Sequence, residues 1–393
     1  MRKYFIFAIA AVAAVTACSK VETVDNGVPT AIRFSVVNHM ERNKAQTLPY
    51  SGLTYPTGVP FGTFAWWTQN DWTGIADDQL YVFMDNEKVS YQTIDGRNAW
   101  APSSTYYWTK SGKLTFASYS PWTEGNSPAT DGYSAVPAYD VTNGYLFNNY
   151  TIVDATDVDL MYADLAANCS QNTNIDGSAV TDEGDSGFSG VPTIFNHALC
   201  RLNFALRAIG PKNPNVDSIV VIIDSVFIRH IDYKGSFAQN SNPRWSSNHA
   251  ADTTNYGFGP ASPLQLPIIQ NTAANIAATD NYTLLPTSRI LLPQPLGHGT
   301  DAIDVTADQL LEIKYTVKLH FKSVNLPETD PKYWATSEVT SVIRLYKDAI
   351  PAWKDNQNIT YRISINPYTP EKVTFDPAVV SWTDVYSEDI KID

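Results

Sequence analysis

Cysteine is nearly absent from this chain, with three in 393 residues, at positions 18, 169 and 200. With Cys18 set aside for the reason given below, the other two cannot build the disulfide framework of a small secreted scaffold. Cys200 falls in phase with the apolar face of Cys200-Arg-Leu202-Asn-Phe204-Ala-Leu206, which marks it as a small core residue. A Cys169–Cys200 bridge stays open in an oxidising compartment. Basic charge is also scarce: 27 Lys and Arg stand against 40 Asp and Glu, a net −13, which argues against nucleic acid as a partner. The six histidines are scattered, without His-x-His or His-Glu-x-x-His spacing, so no metal or other cofactor is expected. Gly-x-Ser-x-Gly, P-loop and dinucleotide glycine patterns are all missing, and no catalytic residue or enzymatic activity is expected. Many carboxylates would allow a glycosidase pair by spacing alone, but an acidic surface accounts for them.

What the chain does have begins at its first residues. Arg2 and Lys3 precede an apolar run from Tyr4 to Val15, too short for a permanent membrane span, and Val15-Thr-Ala17 puts small residues before Cys18. This is the pattern of a bacterial lipoprotein signal peptide over residues 1–17, with Cys18 acylated and left as the mature first residue. An ordinary secretory signal with a coincidental cysteine is the competing reading. A lipid-tethered body is anchored to a membrane rather than spanning it, firmly when two or more acyl chains are present.

The dominant period is two. In Leu311-Glu-Ile313-Lys-Tyr315-Thr-Val317-Lys-Leu319-His-Phe321, odd positions are apolar and even ones polar, the signature of a strand with one wet face. Ile359–Ile365 and Ile32–Val36 repeat it. Val216–Ile231 is apolar almost throughout and reads as a strand covered on both faces, turning at 232–235 into a second. Residues 123–144, 168–190 and 239–262 read as loops, and Tyr162–Ala167 as a turn or two of helix. The expected fold is all-β, two sandwiches in series, with the junction near Val191.

Two clusters invite a functional reading. Asp154, Asp157, Asp159 and Asp164 suggest calcium, but an EF-hand loop counted from Asp154 needs Gly and Glu where Asp159 and Leu165 stand, so a solvated loop is expected. Trp66, Trp67, Trp72, Trp100, Trp108 and Trp122 offer a sugar-stacking platform, although Trp66 and Trp108 sit in strand motifs and read as core. His197 reads as a structural hydrogen-bonding residue at a strand start.

Seven motifs in order then resemble one family. They are Phe61-Gly-Thr-Phe-Ala-Trp66, Tyr107-Trp108 with Gly112–Phe116, Tyr119-Ser-Pro121, Asp159-Leu-Met-Tyr-Ala163, Phe195-Asn-His-Ala-Leu-Cys-Arg-Leu202, Leu291-Leu-Pro-Gln-Pro-Leu296 and Phe375–Trp382. Behind a lipobox, they make the chain similar to the fimbrillin-like lipoproteins of Bacteroidetes, subunits of type V pili. The resemblance implies two tandem transthyretin-like β-sandwich domains, 18–193 and 194–393. It also implies an outer-membrane, surface-exposed lipoprotein of a fimbrium whose partners are other pilin subunits and, for an adhesive member, a host or bacterial surface ligand. In that family a trypsin-like cut removes an N-terminal strand, and a neighbour's terminal strand fills the groove. The expected cut follows Arg42, in the polar segment 38–46, with Arg33 second because it sits inside the alternating strand. Val385, Ile390 and Ile392 are the candidate donor residues after Trp382, although Ser387 and Asp389 break their phase and demand a bulge, and a final strand packed on its own domain is the competing reading of this tail. A non-polymerising surface lipoprotein that binds glycans or host ligands is the alternative.

Cys18→Ala is expected to release the protein from membranes or block its processing. Membrane retention unchanged in the variant, with no lipid label on the wild type, would contradict the lipobox reading.

Overall fold

The computed structural model describes residues 30–38, 55–72, 81–153, 158–174, 189–278, 280–297, 302–369 and 373–381. The fold is all-β, as the alternation requires. The first half holds β1 (Phe34–Asn38), β2 (Phe61–Thr68), β3 (Tyr81–Ile94), β4 (Arg97–Pro102), β5 (Lys113–Ser120), β6 (Ala138–Asp140) and β7 (Gly144–Thr151). Next come β8 (Met161–Ala163), β9 (Ala166–Cys169), β10 (Thr173–Asn174), β11 (Ser189–His197) and β12 (Cys200–Gly210). The second half adds β13 (Val216–Asp232), β14 (Lys234–Ala238), β15 (Trp245–Ser247), β16 (Thr253–Gly259), β17 (Leu264–Leu266) and β18 (Ile268–Gln270). After helix α1 (Ala273–Ala277) follow β19 (Thr283–Leu284), β20 (Arg289–Leu291), β21 (Leu310–Phe321), β22 (Ala335–Arg344), β23 (Gln357–Ile365) and β24 (Val373–Ser381).

The first sheet runs β1-β4-β3-β2-β5-β8-β11-β10, and β1 also pairs with β11, so the sheet closes on itself. Inside it lies a core of Phe34, Phe61, Met84, Trp100, Trp108, Phe116 and Phe195. Its outer face is covered too: Phe64, Trp66 and Tyr119 pack with Tyr145, Phe147 and Phe237. That second layer is the sheet β15-β14-β7-β6, in which β7 pairs with β14. Strand β2 is therefore buried on both faces, Phe61 and Ala65 one way and Phe64 and Trp66 the other. Gly62 lies directly under the Tyr119 ring, where a Cβ has no room.

The second half is a sandwich of two sheets, β18-β12-β23-β24 and β16-β13-β21-β22, around Leu202, Phe204, Leu206, Val221, Ile223, Ile313, Tyr315, Ile359 and Tyr361. The alternation holds in β23 and through the middle of β21, whereas Glu312 and His320 on its polar face are buried and Phe321 is half-buried. Strand β13 differs: it is one 17-residue strand with its core face inward and Asp217, Asp224 and Phe227 exposed. Its register shifts between Ile223 and Ser225 against β21, and between Ile228 and Ile231 against β16. Each bulge resets the inward phase, so Val221, Ile223, Val226, Ile228 and Ile231 all reach the core. A run that resembles a doubly covered strand is a singly covered one with bulges.

Three other expectations change. Residues 162–167 contribute to β8 and β9 rather than a helix, because both pair with β5. The stretch 239–262 contains β15 and β16. The stretch 168–190, read as a loop, contains β10; residues 193 and 194 both lie in β11, and the β7–β14 ladder joins the two halves. Cys169 and Cys200 are both free thiols. Cys200 belongs to the second-half core, whereas Cys169 packs on the first.

A buried polar hub accounts for Leu291-Leu-Pro-Gln-Pro-Leu296. Gln294 exchanges backbone hydrogen bonds with Trp353 (3.1 and 2.9 Å). Its Oε1 accepts from the Asp232 amide at 3.0 Å and from Gln309 Nε2 at 2.8 Å. The Asp232 carboxylate in turn receives Ser247 Oγ–H and His249 Nδ1–H, while His249 Nε2 lies 3.2 Å from the Ala307 carbonyl. Both imidazole nitrogens thus face acceptors, an arrangement complete only in the doubly protonated ring. Partial burial pulls the His249 pKa down, but the Asp232 hydrogen bond and charge and the Ala307 carbonyl outweigh it and raise it above the ordinary 6.5.

A histidine pKa raised on folding contributes stability that is complete below pH 6.5 and lost as pH climbs through the folded value. The melting temperature is therefore expected to fall from pH 6 upward, and this slope to shrink in His249→Ala. Equal slopes in wild type and variant, measured by differential scanning calorimetry, would show that His249 is not the group responsible.

Candidate functional site

A β-sheet that closes through one short strand has its most consequential residues in that strand. Residues 30–32 run against 106–108: Ile32 N–H donates to Tyr106 O at 2.8 Å and Trp108 N–H to Thr30 O at 3.1 Å. The chain then crosses to β11 and pairs with it in parallel, Phe34 opposite Val191 through Asn38 opposite Phe195. Val191 N–H donates to Arg33 O at 2.7 Å. On the other side β1 touches β4 at Phe34 and Trp100.

Ile32, Phe34 and Val36 point inward and are 0%, 2% and 8% exposed. Burial of such side chains contributes roughly 1.5–3 kcal/mol each relative to exposure. Phe34 meets the edges of Phe61 and Phe116 at centroid distances of 5.5 and 5.7 Å. The trough beneath is aromatic, with Tyr55 stacked on Phe195 at 4.9 Å and edge-on to Trp100 at 5.2 Å. Asn172 clips the strand from the side. Its Oδ1 accepts from Arg33 N–H (3.3 Å) and Trp108 Nε1–H (3.0 Å), and its Nδ2 donates to Ala31 O (3.1 Å). Sequence reading passed over Asn172, which sits in an apparently featureless loop. No local signal marks it, since its partners lie 64 and more residues away.

The other end of the chain leaves a sheet edge. Strand β24 pairs antiparallel with β23 from Val373–Ile365 to Ser381–Gln357, and no described strand pairs with its far side. Val379 and Val380 are 40% and 60% exposed there. The segment carrying Val385, Ile390 and Ile392 begins directly after this strand. Those three residues, Trp382, Cys18 with the signal peptide, Arg42, Asp154 and Asp157 lie outside the described residues.

Of the aspartate cluster, Asp159 is fully buried and 2.8 Å from His197 Nδ1, itself 1% exposed. Burial raises the Asp159 carboxyl above its ordinary range, opposed by His197 and Arg201. The pair ties the segment before β8 to the end of β11, the structural role read for His197. Asp164 instead accepts from Asn196 Nδ2 at 2.9 Å, so these carboxylates do not converge. Among the described residues no three His, Cys, Asp or Glu side chains form a metal-binding group.

The tryptophan platform does not form. Trp66, Trp100 and Trp108 are buried. Trp67, Trp72 and Trp122 are half-buried and engaged: Trp67 donates to Ser111 O, Trp122 to Asn86 O, and Trp72 packs on Trp66. Among the described residues no helix is long and apolar enough to cross a membrane.

A solved candidate cell adhesion protein from Parabacteroides distasonis is 10% identical, covering 90% of this chain and 100% of its own, with a TM-score of 0.43. One from Bacteroides uniformis is 12% identical, covering 90% and 98%, at 0.41. The tip fimbrial protein Mfa3 of Porphyromonas gingivalis, C-terminally truncated, is 13% identical, covering 82% and 94%, at 0.29. No curated protein matches. The family model described as fimbrillin-like matches residues 57–382, most of the sequence. The chain belongs to the fimbrillin-like family.

Proposed function

We propose that this protein is a structural and adhesive subunit of a surface fimbrium, assembled by strand exchange, with no catalytic role. The observation that carries the reading is β1: a five-residue strand, parallel to β11, that closes the first sheet and fills an aromatic trough. Its loss leaves unpaired N–H and C=O groups along β11 beside an apolar groove, a template for an incoming strand. The main chain supplies adhesion, and alternate side chains in pockets set the register. In this reading Cys18 carries the lipid that holds the precursor at the outer membrane, and a protease cuts after Arg42. The segment after β24 donates Val385, Ile390 and Ile392 to the next subunit. The chain forms two tandem sandwich domains, residues 18–193 and 194–393.

Limited trypsin treatment of the purified precursor, with N-terminal sequencing and size analysis, tests the cleavage. The first cut is expected after Arg42, followed by loss of residues 31–37 and a ladder of oligomers. A first cut that leaves 31–37 in place, or normal maturation of Arg42→Ala, would remove Arg42 from the mechanism.

Deletion of residues 383–393 tests the donor. The truncated protein is expected to fold as a monomer with unchanged melting temperature and to stop polymerising after protease treatment. A lower melting temperature with polymerisation intact would instead mark the tail as a strand packed on its own domain.

A further inference from the structure

The outer face of the β16-β13-β21-β22 sheet holds a cavity of about 410 Å³, within the range of small-molecule sites. Its polar lining is Arg229, His230, Asn255, Thr306 and Glu312, and its apolar lining is Val305, Leu310 and Val342. Glu312 points here because Leu311 and Ile313, its neighbours, point into the core. The cavity shares no residue with the β1 trough.

The wall is preformed. In the turn 304–308, Thr306 N–H and Oγ1–H both donate to Asp304 Oδ1, at 2.8 and 2.6 Å. Asp308 is fixed by Arg344 Nε at 3.0 Å. His230 Nε2 lies 3.0 Å from Val305 O, and His249 Nε2 holds Ala307 O. His230 itself has φ +57°, a left-handed conformation rare for a residue with a Cβ, and it sits at the bulge between Ile228 and Ile231. Asn255 Oδ1 supports the turn by accepting from His230 N–H at 3.1 Å. Bulges recur where a strand must re-aim side chains toward a site.

The chemistry of the lining narrows the occupant. Arg229 spends only Nε, on Glu312 Oε2 at 2.7 Å. Its two terminal NH2 groups and the Asn255 Nδ2 make no hydrogen bond among the described residues. The Arg229 hydrogen bond holds the Glu312 carboxyl below its ordinary range, so Glu312 stays an ionised acceptor. Lys314 Nζ, 3.7 Å from Glu312 Oε1, lies outside the cavity lining, so within the cavity an anion meets a guanidinium already paired with a carboxylate and gains little from it. An apolar ligand strips water from an ion pair and returns no hydrogen bond. A hydroxyl group suits both partners, because it donates to Glu312 and accepts from Arg229 or Asn255 at once. Val305 and Val342, backed by the buried Leu310, then meet the C–H face of a sugar ring.

We propose that this cavity binds a neutral hexose unit, with Arg229 and Asn255 donating to its hydroxyl oxygens and Glu312 accepting from a hydroxyl. This assignment stands apart from strand exchange, and either can fail without the other.

Saturation-transfer NMR on the intact protein tests it, using free glucose, galactose, mannose and N-acetylglucosamine, their methyl glycosides, and glucuronate as the anionic control. At least one neutral sugar is expected to bind. Binding by the methyl glycoside identifies a glycan chain end as the source, and binding by the free sugar alone a soluble monosaccharide. Glu312→Gln and Asn255→Ala are each expected to weaken binding by about tenfold, the loss of one strong hydrogen bond. Asn255 is exposed, but its Oδ1 also accepts from His230 N–H, so the melting temperature of its variant is measured beside binding, and Glu312→Gln provides the independent arm. Silence of every neutral sugar at ~100 mM, a ligand concentration that populates even very weak sites, overturns the proposal. So does binding unchanged in both variants, or glucuronate binding more tightly than glucose.

Discussion

Closure of the first sheet through β1 is the constraint on which the rest of this molecule depends. An open sheet presents two rows of unpaired backbone groups, and closure alone removes them. Here the closing piece is short, enters from the N-terminal end of the chain and pairs in parallel with a strand more than 150 positions away. Its hydrogen bonds are few, but its three inward side chains fill the centre of an aromatic core. The five-position pairing with β11, the burial of these side chains and the Asn172 clip together hold it in place.

Burial on both faces explains why the sheet survives in the rest of its perimeter. Strands β2 and β5 are sandwiched between the inner core and a second aromatic layer, to which the second half of the chain contributes Phe237 and Trp245. The β7–β14 ladder makes that layer continuous across the two halves. Tyr119, Tyr133 and Tyr145 have their hydroxyl pKa values driven up by desolvation there, which keeps them neutral at any ordinary pH. These neutral rings hold the outer face of the sheet, opposite the inner core that β1 fills.

The two sites sit on opposite halves and differ in kind. The β1 trough is apolar and is filled by a strand of the same chain. The cavity beside Arg229 and Glu312 is polar and preformed, as recognition of hydroxyl groups requires. A fimbrial subunit that carries both would polymerise with one half and engage a ligand with the other.

Local sequence determined the all-β class, because period-two alternation in β21 and β23 needs only neighbouring residues to be recognised. It also determined the core role of Cys200, Trp66 and Trp108, which lie in phase with apolar strand faces, and the seven family motifs. It did not determine the path of β13, since two bulges invert the phase within a run whose apolar residues follow no single period. Nor did it reveal β8 and β9: short segments take their conformation from a partner, here β5, against their own helical leaning. The parallel pairing of β1 with β11, the Asn172 clip and the convergence of Arg229, Asn255 and Glu312 belong to tertiary structure alone. Each joins residues that are distant in the chain and carry no mark of one another, and only the packing of the sheets brings them within hydrogen-bonding distance.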